Sequence, residues 1–222
     1  MLCFGQVSPD APHKDRYFIT NKDTIWYSTL YTWRKSDVAW LRNDRTGLYA
    51  LVDSNCNVIT NFEYGIHHPF YSDSQSALTT KNGKWGVVNK KGDIVIDFIY
   101  DECPLPCCDT TTNKEFYICA KNNTLGVIDS NGNMVVPFEW DNIFYCNYSI
   151  FELQNKDTTY LYFVRTNNTI SMGNKKNQLD FNKFGKTIVR DCKLEKYGII
   201  DTSGLIVQPC IYDRHDVKKF LQ

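Results

Sequence analysis

Thiols and imidazoles are the side chains whose spacing could do chemistry. Cys103-Pro104-Leu105-Pro106-Cys107-Cys108 is the densest cluster among nine cysteines. With Cys119 or Cys146 it would muster the four soft donors of a zinc site. Against that, its spacing is not that of a zinc knuckle, and no second pair stands at a matching distance. The expectation is free cysteines in a loop, with no metal and no cofactor. His67-His68 is the only adjacent pair among four histidines. If repeated units stack, the third position after each closing aromatic sets His67 beside Cys103 in a column, a metal or partner site. A variable loop position is the plainer account, because neighbouring histidines are seldom ligands without carboxylate or thiolate support.

Catalytic arrangements are harder to find. A nucleophilic Ser or Cys needs a base and an orienting group. None of His13, His67, His68 and His215 lies in a strand-to-helix nucleophile turn. The glycines are spread one per turn rather than gathered into a phosphate loop. Asp97 with Asp101, and Asp213 with Asp216, are explained as solvated turn charges. No enzyme is expected; the alternative is an undetected one using the cysteine and histidine loops.

The chain has 222 residues, and Lys+Arg and Asp+Glu balance at 25 each. Zero net charge argues against gripping nucleic acid, which needs a basic surface. The start, MLCFGQVSPD, lacks the basic and apolar regions of a signal peptide. No apolar run approaches a membrane span, so no membrane partner is expected. An odd number of cysteines without framework spacing points to a reducing, cytoplasmic compartment. Sequons at Asn122, Asn147 and Asn167 are then chance matches.

The elements that must position these residues come as repeats. Lys84–Asp101, KWGVVNKKGDIVIDFIYD, holds two apolar runs around Asn89-Lys90-Lys91-Gly92 and closes on Tyr100-Asp101. Leu125–Asp141 and Tyr197–Asp213 repeat it, and Tyr49–Gly65 is an upstream copy. The register positions 50, 86, 126 and 198 predict a hidden copy near 162, met by Leu161–Ile170, and Tyr17–Tyr31 is a weaker first copy. A further apolar run precedes each clear copy, as in Ala77–Lys81 before Asn82-Gly83, a strong hairpin signal. Each unit therefore reads as three antiparallel strands a, b and c. The expected fold is all-β, a single domain with units near 1–33, 34–66, 67–103, 104–143, 144–182 and 183–216. Val217–Gln222 forms a cap, the one place where a short helix or a closing strand is allowed.

Gly86, Gly126 and Gly198 predict a close approach of another chain segment or a bulge. Gly92, Gly132 and Gly204 predict left-handed turn positions. Pro137 and Pro209 place a bulge or a pairing end in strand c. Asp101, Asp141 and Asp213 are expected to bond a loop amide. Trp85 is expected to be mostly buried. Met172–Phe184 reads as a polar loop or a distorted strand c. An open twisted stack of units is preferred over a six-bladed propeller-like ring, because only three strands are legible per unit and propeller blades have four.

Lys84-Trp85-Gly86, Asn89–Gly92, Pro137 and Tyr/Trp followed by Asp resemble the bacterial WG-repeat proteins over Gly47–Asp213. The resemblance implies a repeat scaffold and brings no catalytic residues. It departs where Leu125, Tyr197 or Tyr49 stands in place of the Trp.

The expected function is a non-catalytic, monomeric scaffold that binds another protein, since repeat stacks offer long surfaces with variable loops. An immunity-type inhibitor masking a toxin or effector is one specialisation. A glycan-binding module with aromatic platforms is the alternative. The aromatic N-terminal fifth reads as core packing or as an exposed interface patch. The candidate binding residues are Trp26, Trp33, His67, His68, Phe70, Tyr71 and Tyr145.

Overall fold

The computed structural model describes residues 37–53, 57–70, 75–156, 158–173, 181–191 and 194–221, together with the backbone of 17–19, 24–26 and 30–31. The chain is nearly all β and falls into two compact units, Met1–Pro104 and Leu105–Gln222.

In the first unit, β1 (Tyr17–Ile19) and β2 (Thr24–Trp26) form an antiparallel pair. A seven-stranded antiparallel sheet follows in chain order: β3 (Leu30–Tyr31), β4 (Val38–Arg42), β5 (Tyr49–Asp53), β6 (Tyr64–His67), β7 (Ser76–Lys81), β8 (Lys84–Asn89) and β9 (Ile94–Tyr100).

The second unit opens with the sheet β10 (Leu105–Asp109), β11 (Lys114–Lys121), β12 (Thr124–Asp129) and β13 (Met134–Trp140). Next comes β14 (Asn142–Tyr145), β15 (Ile150–Asn155), β16 (Thr158–Phe163) and β17 (Asn168–Gly173). Then follow β18 (Lys186–Asp191), β19 (Lys196–Asp201) and β20 (Ile206–Tyr212). A single turn of helix, α1 (Arg214–Val217), and a 3-10 turn, Lys218–Phe220, come after β20.

The repeats seen in the sequence are repeats in space. The residue opening strand b pairs with the aromatic closing strand c in each clear copy: Tyr49 with Tyr64, Trp85 with Tyr100, Leu125 with Trp140, Tyr197 with Tyr212. Strand b is central and buried on both faces, which is why it reads as a continuous apolar run. Val87, Val88, Val127, Ile128, Ile199 and Ile200 are all closed to solvent.

Gly86 and its equivalents explain how strand c closes over strand b. The ladder slips between Trp85 and Val87, and at the same step in the other two clear units. A Cβ on Gly86 would lie 2.7 Å from the Ile96 carbonyl oxygen and 2.9 Å from the Phe98 ring. On Gly126 it would lie 2.8 Å from the Phe138 ring. Bulge and close approach therefore occur together. Where the position is Ala50, strand c is broken. Val52 bridges Val58 alone, and the Leu51 N–H donates to the Thr60 hydroxyl at 3.0 Å.

The turn before strand c is built the same way each time. The Asn89 Oδ1 accepts from the N–H of Lys91 and Asp93, both at 2.9 Å. Asp129 accepts from Asn131 and Asn133, and Asp201 from Ser203 and Leu205. Gly92, Gly132 and Gly204 take φ of 86°, 82° and 84°, as a left-handed turn position requires.

Several expectations need correction. A fourth strand precedes strand a in the second unit, β10 before β11 and β14 before β15. It was hidden because β14 is short and β10 contains Pro106, a strand-breaking signal that an end strand tolerates. Cys107 and Cys108 accordingly lie in a strand, not a loop. In the first unit β6 does double duty, with Tyr64 pairing to both Tyr49 and Lys81. Trp85 keeps most of its surface from solvent, as expected, though less completely than Trp40, which is 1% exposed. Asp101 and Asp213 form ion pairs with Lys84 and Lys196, at the starts of β8 and β19, and the Asp213 side chain makes no cap to the helix after it. Asp141 accepts the Lys156 N–H at 2.8 Å, as expected. Of the two readings of Met172–Phe184, the strand holds for Met172, which lies in β17 and is fully buried with Leu161, Phe163, Val189 and Ile200. Its run of polar neighbours concealed an inward-facing side chain on an alternating strand.

Candidate binding surface

A register shift in β6 between Tyr64 and His67 breaks the alternation and decides where the histidines point. Tyr64 faces the core, Ile66 faces solvent at 67% exposure, and His67 turns in again. His67 stacks on Trp40 with centroids 4.8 Å apart and meets Tyr49 edge-on at 4.5 Å. Burial pushes its pKa down to about 4, so it is a neutral core imidazole at pH 7. Phe70 stacks on the other part of the same cluster, 5.9 Å from Trp40, and is buried.

His68 is exposed. Its N–H donates to the Leu78 carbonyl at 2.7 Å, and its carbonyl accepts from Trp40 Nε1 at 3.0 Å. Its ring lies edge-on to Trp85 at 5.8 Å. The stacking argument set His67 beside Cys103; the structure sets His68 there, with Nε2 3.5 Å from Sγ. One step along an extended chain exchanges the faces.

Tyr145, in β14, is half-buried against Phe151 at 5.3 Å. Trp26 lies in β2, where only the backbone is described, and Trp33 and Tyr71 lie outside the described residues. The candidates therefore divide between a packed cluster (His67, Phe70), one exposed side chain (His68) and a half-buried tyrosine (Tyr145).

Among the described residues no group of three or more His, Cys, Asp or Glu is placed to hold a metal. Cys107 is buried among Phe116, Ile118, Val127 and Phe151, and burial pushes its thiol up to about 11. It is a protonated core side chain, not a ligand.

Two features escaped the sequence. The first is a buried carboxylate. Asp109 ends β10 with no exposure and accepts from the Ser149 hydroxyl, from the N–H of Thr111 at 2.9 Å and from Arg165 at 3.1 Å. Burial alone would raise its pKa; the hydrogen bonds from Ser149, Thr111 and Arg165 outweigh it and hold the carboxyl well below the usual range. It fixes a loop in which Asn147, Tyr148 and Ser149 all have positive φ, a costly backbone that persists only where surroundings impose it. With its oxygens occupied by donors, Asp109 organises structure and is no general base.

The second is a set of exposed apolar side chains on strands that end three of the sheets. Ile94, Met134 and Ile206 stand two places after the turn glycines and are 49, 66 and 61% exposed. Ile99 and Ile211, next to the closing aromatics, are also exposed. β9, β13 and β20 each lie at the end of a sheet. The signal was present in the sequence as apolar residues on both faces of strand c.

Among known families, the WG containing repeat matches residues 85–104 and 126–156. These stretches hold β8 with β9 and β12 through β15, so the chain is similar to WG-repeat proteins where its hairpins are most regular. No curated protein matches the chain. Among solved structures, Hsv2 of Kluyveromyces lactis matches with a TM-score of 0.35 and 8% identity, covering 78% of this chain and 60% of that one. A eukaryotic initiation factor matches with a TM-score of 0.41 and 11% identity, covering 86% and 61%. The chain thus spans about three fifths of the length of these solved chains, and the likeness is too slight to bear on what it does. No described helix is long and apolar enough to cross a membrane.

Proposed function

We propose that this chain is a non-catalytic repeat scaffold that binds another protein in the cytoplasm. One observation carries it: exposed apolar side chains recur at the same register position on the end strands β9, β13 and β20. A sheet end offers unpaired backbone groups to a partner strand, and apolar side chains beside it supply the desolvation that makes such pairing stable. Within the second unit, repetition at Met134 and Ile206 is what a scaffold holding an extended partner needs. Cys103, Cys107, Cys108 and Cys146 are free thiols, in keeping with a reducing compartment. The charge balance, with 25 acidic and 25 basic residues, favours a protein over a nucleic acid as that partner. An immunity-type inhibitor is the specialised form of this reading, in which the bound protein is a toxin or effector whose working surface is covered.

The test is a photo-crosslinking amino acid placed in living cells at Met134 or Ile206, with exposed Lys114 as the control site. A single defined protein captured from positions 134 and 206 but not from 114 is the expected result. Equal capture from all three, or none from the first two, removes the basis for the reading. For the inhibitor form, the captured protein should lose its activity when mixed with the chain.

A further inference from the structure

We propose that His68 and Cys103 form a two-donor binding site for a borderline-soft divalent cation of the zinc class. Both side chains are exposed, and they come from segments 35 residues apart. Nε2 lies 3.5 Å from Sγ. A tetrahedral ion with Zn–S near 2.3 Å and Zn–N of about 2.0–2.1 Å sets those donors about 3.5 Å apart. A linear two-coordinate ion would need them roughly 4.3 Å apart by the same bond lengths. The pair therefore stands at the tetrahedral spacing.

The imidazole is presented on a fixed backbone. Residue 68 is hydrogen-bonded through its N–H to Leu78 and through its carbonyl to Trp40, and the Trp85 edge limits the ring. Cys103 precedes Pro104, which restricts its backbone to extended conformations. The Cys103 thiol, whose Sγ lies 3.8 Å from the Pro104 carbonyl oxygen, gives its proton to solvent as the metal binds. Nε2 binds through its lone pair, with the ring proton on Nδ1. One thiolate and one imidazole select zinc-like ions over magnesium and calcium, which take oxygen donors. No third His, Cys, Asp or Glu joins them among the described residues, so the remaining positions are open to water or to another molecule's donors.

Cobalt(II) is the probe, because a tetrahedral thiolate site gives visible d–d bands and a sulfur-to-cobalt charge-transfer band. The full chain titrated with cobalt(II) should develop both, lose them to zinc, and keep them in excess magnesium or calcium. Cys103→Ser should remove the charge-transfer band. His68→Gln should weaken cobalt uptake by at least about tenfold, the loss that even outer partners of a metal site produce. Cys108→Ser, at another exposed thiol, should leave the spectrum unchanged. Both site residues are exposed, so far-ultraviolet circular dichroism should show each variant folded. No bands in the parent chain, or full bands in either Cys103→Ser or His68→Gln, overturns the proposal.

Discussion

At the scale of single residues, the decisive quantity is the space left above a glycine. Gly86 and Gly83 lie three positions apart in one hairpin, yet their constraints differ. Gly83 has φ of +76° and nothing within 4 Å of a Cβ, so Gly83→Ala should cost only the left-handed penalty, about 1 kcal/mol. Gly86→Ala drives a methyl into the Ile96 carbonyl and the Phe98 ring and should cost about 1–3 kcal/mol, the usual range for overpacking. Chemical denaturation of both variants checks the order; equal losses would mean the bulge yields freely. The tryptophans divide in the same way. Trp40 is 1% exposed and stacked among His67, Phe70 and Tyr64. Trp40→Ala should cost about 3–5 kcal/mol. Trp85, less deeply buried, should cost less than Trp40, about 2–3 kcal/mol, because part of its ring stays in water. A larger loss at 85 than at 40 would reverse the assignment of the core tryptophan.

At the scale of elements, the turn before strand c is the unit of construction. One side-chain oxygen takes two N–H groups while the following glycine takes positive φ, and Asn89 does this as well as Asp129 or Asp201. A neutral amide is therefore sufficient. Asp129→Asn keeps the turn and should lose at pH 7 only the charge-dependent part of its stability, whereas Asp129→Ala should cost more, about 1 kcal/mol, as loss of a capping oxygen does. Burial of Asp129 and Asp201 would raise their pKa values, but hydrogen bonds from their own turns hold both below the ordinary range. Their contribution is present above the unfolded carboxyl pKa of about 3.9 and is lost as pH falls through the lower folded value. Acid unfolding should show Asp129→Asn less sensitive than the parent; equal sensitivity would place the acid response elsewhere.

At the scale of the molecule, the described hydrophobic clusters each lie inside one compact unit. Those around Trp40 and around Leu41 belong to residues before 104, and those around Phe151 and around Leu161 to residues after it. Residues 105–222 should therefore fold alone, with a β-type far-ultraviolet spectrum and a cooperative thermal transition. A featureless spectrum would show that the second unit borrows its core. Asp109 sits in that unit, tying Ser149 and Arg165 to the end of β10. Its carboxyl is held low, so its stabilisation is complete at neutral pH and falls away below about pH 4 as the chain takes up protons. Asp109→Asn removes the charge while keeping the shape. It should cost about 1.5–3 kcal/mol at pH 7, the range for hydrogen bonds to a charged group, and should flatten the acid limb. An unchanged acid limb would exclude Asp109 as its source.

The sequence by itself determined the hairpins, the turn glycines, the bulge positions and the all-β class. These depend on interactions within a few residues, where backbone sterics and a side chain bonding its own turn leave one solution. The tertiary structure decided what no local pattern contains. Asp109 meets Ser149 across 40 residues and Arg165 across 56. Met172 is buried although its neighbours are polar. His68 rather than His67 faces Cys103, because the register shift between Tyr64 and His67 turns His67 in against Trp40 and leaves His68 outside. The outer strands β10 and β14 exist because β11 and β15 stand beside them to accept their pairing. In each case the deciding partner is remote in the chain, and only folding brings it near.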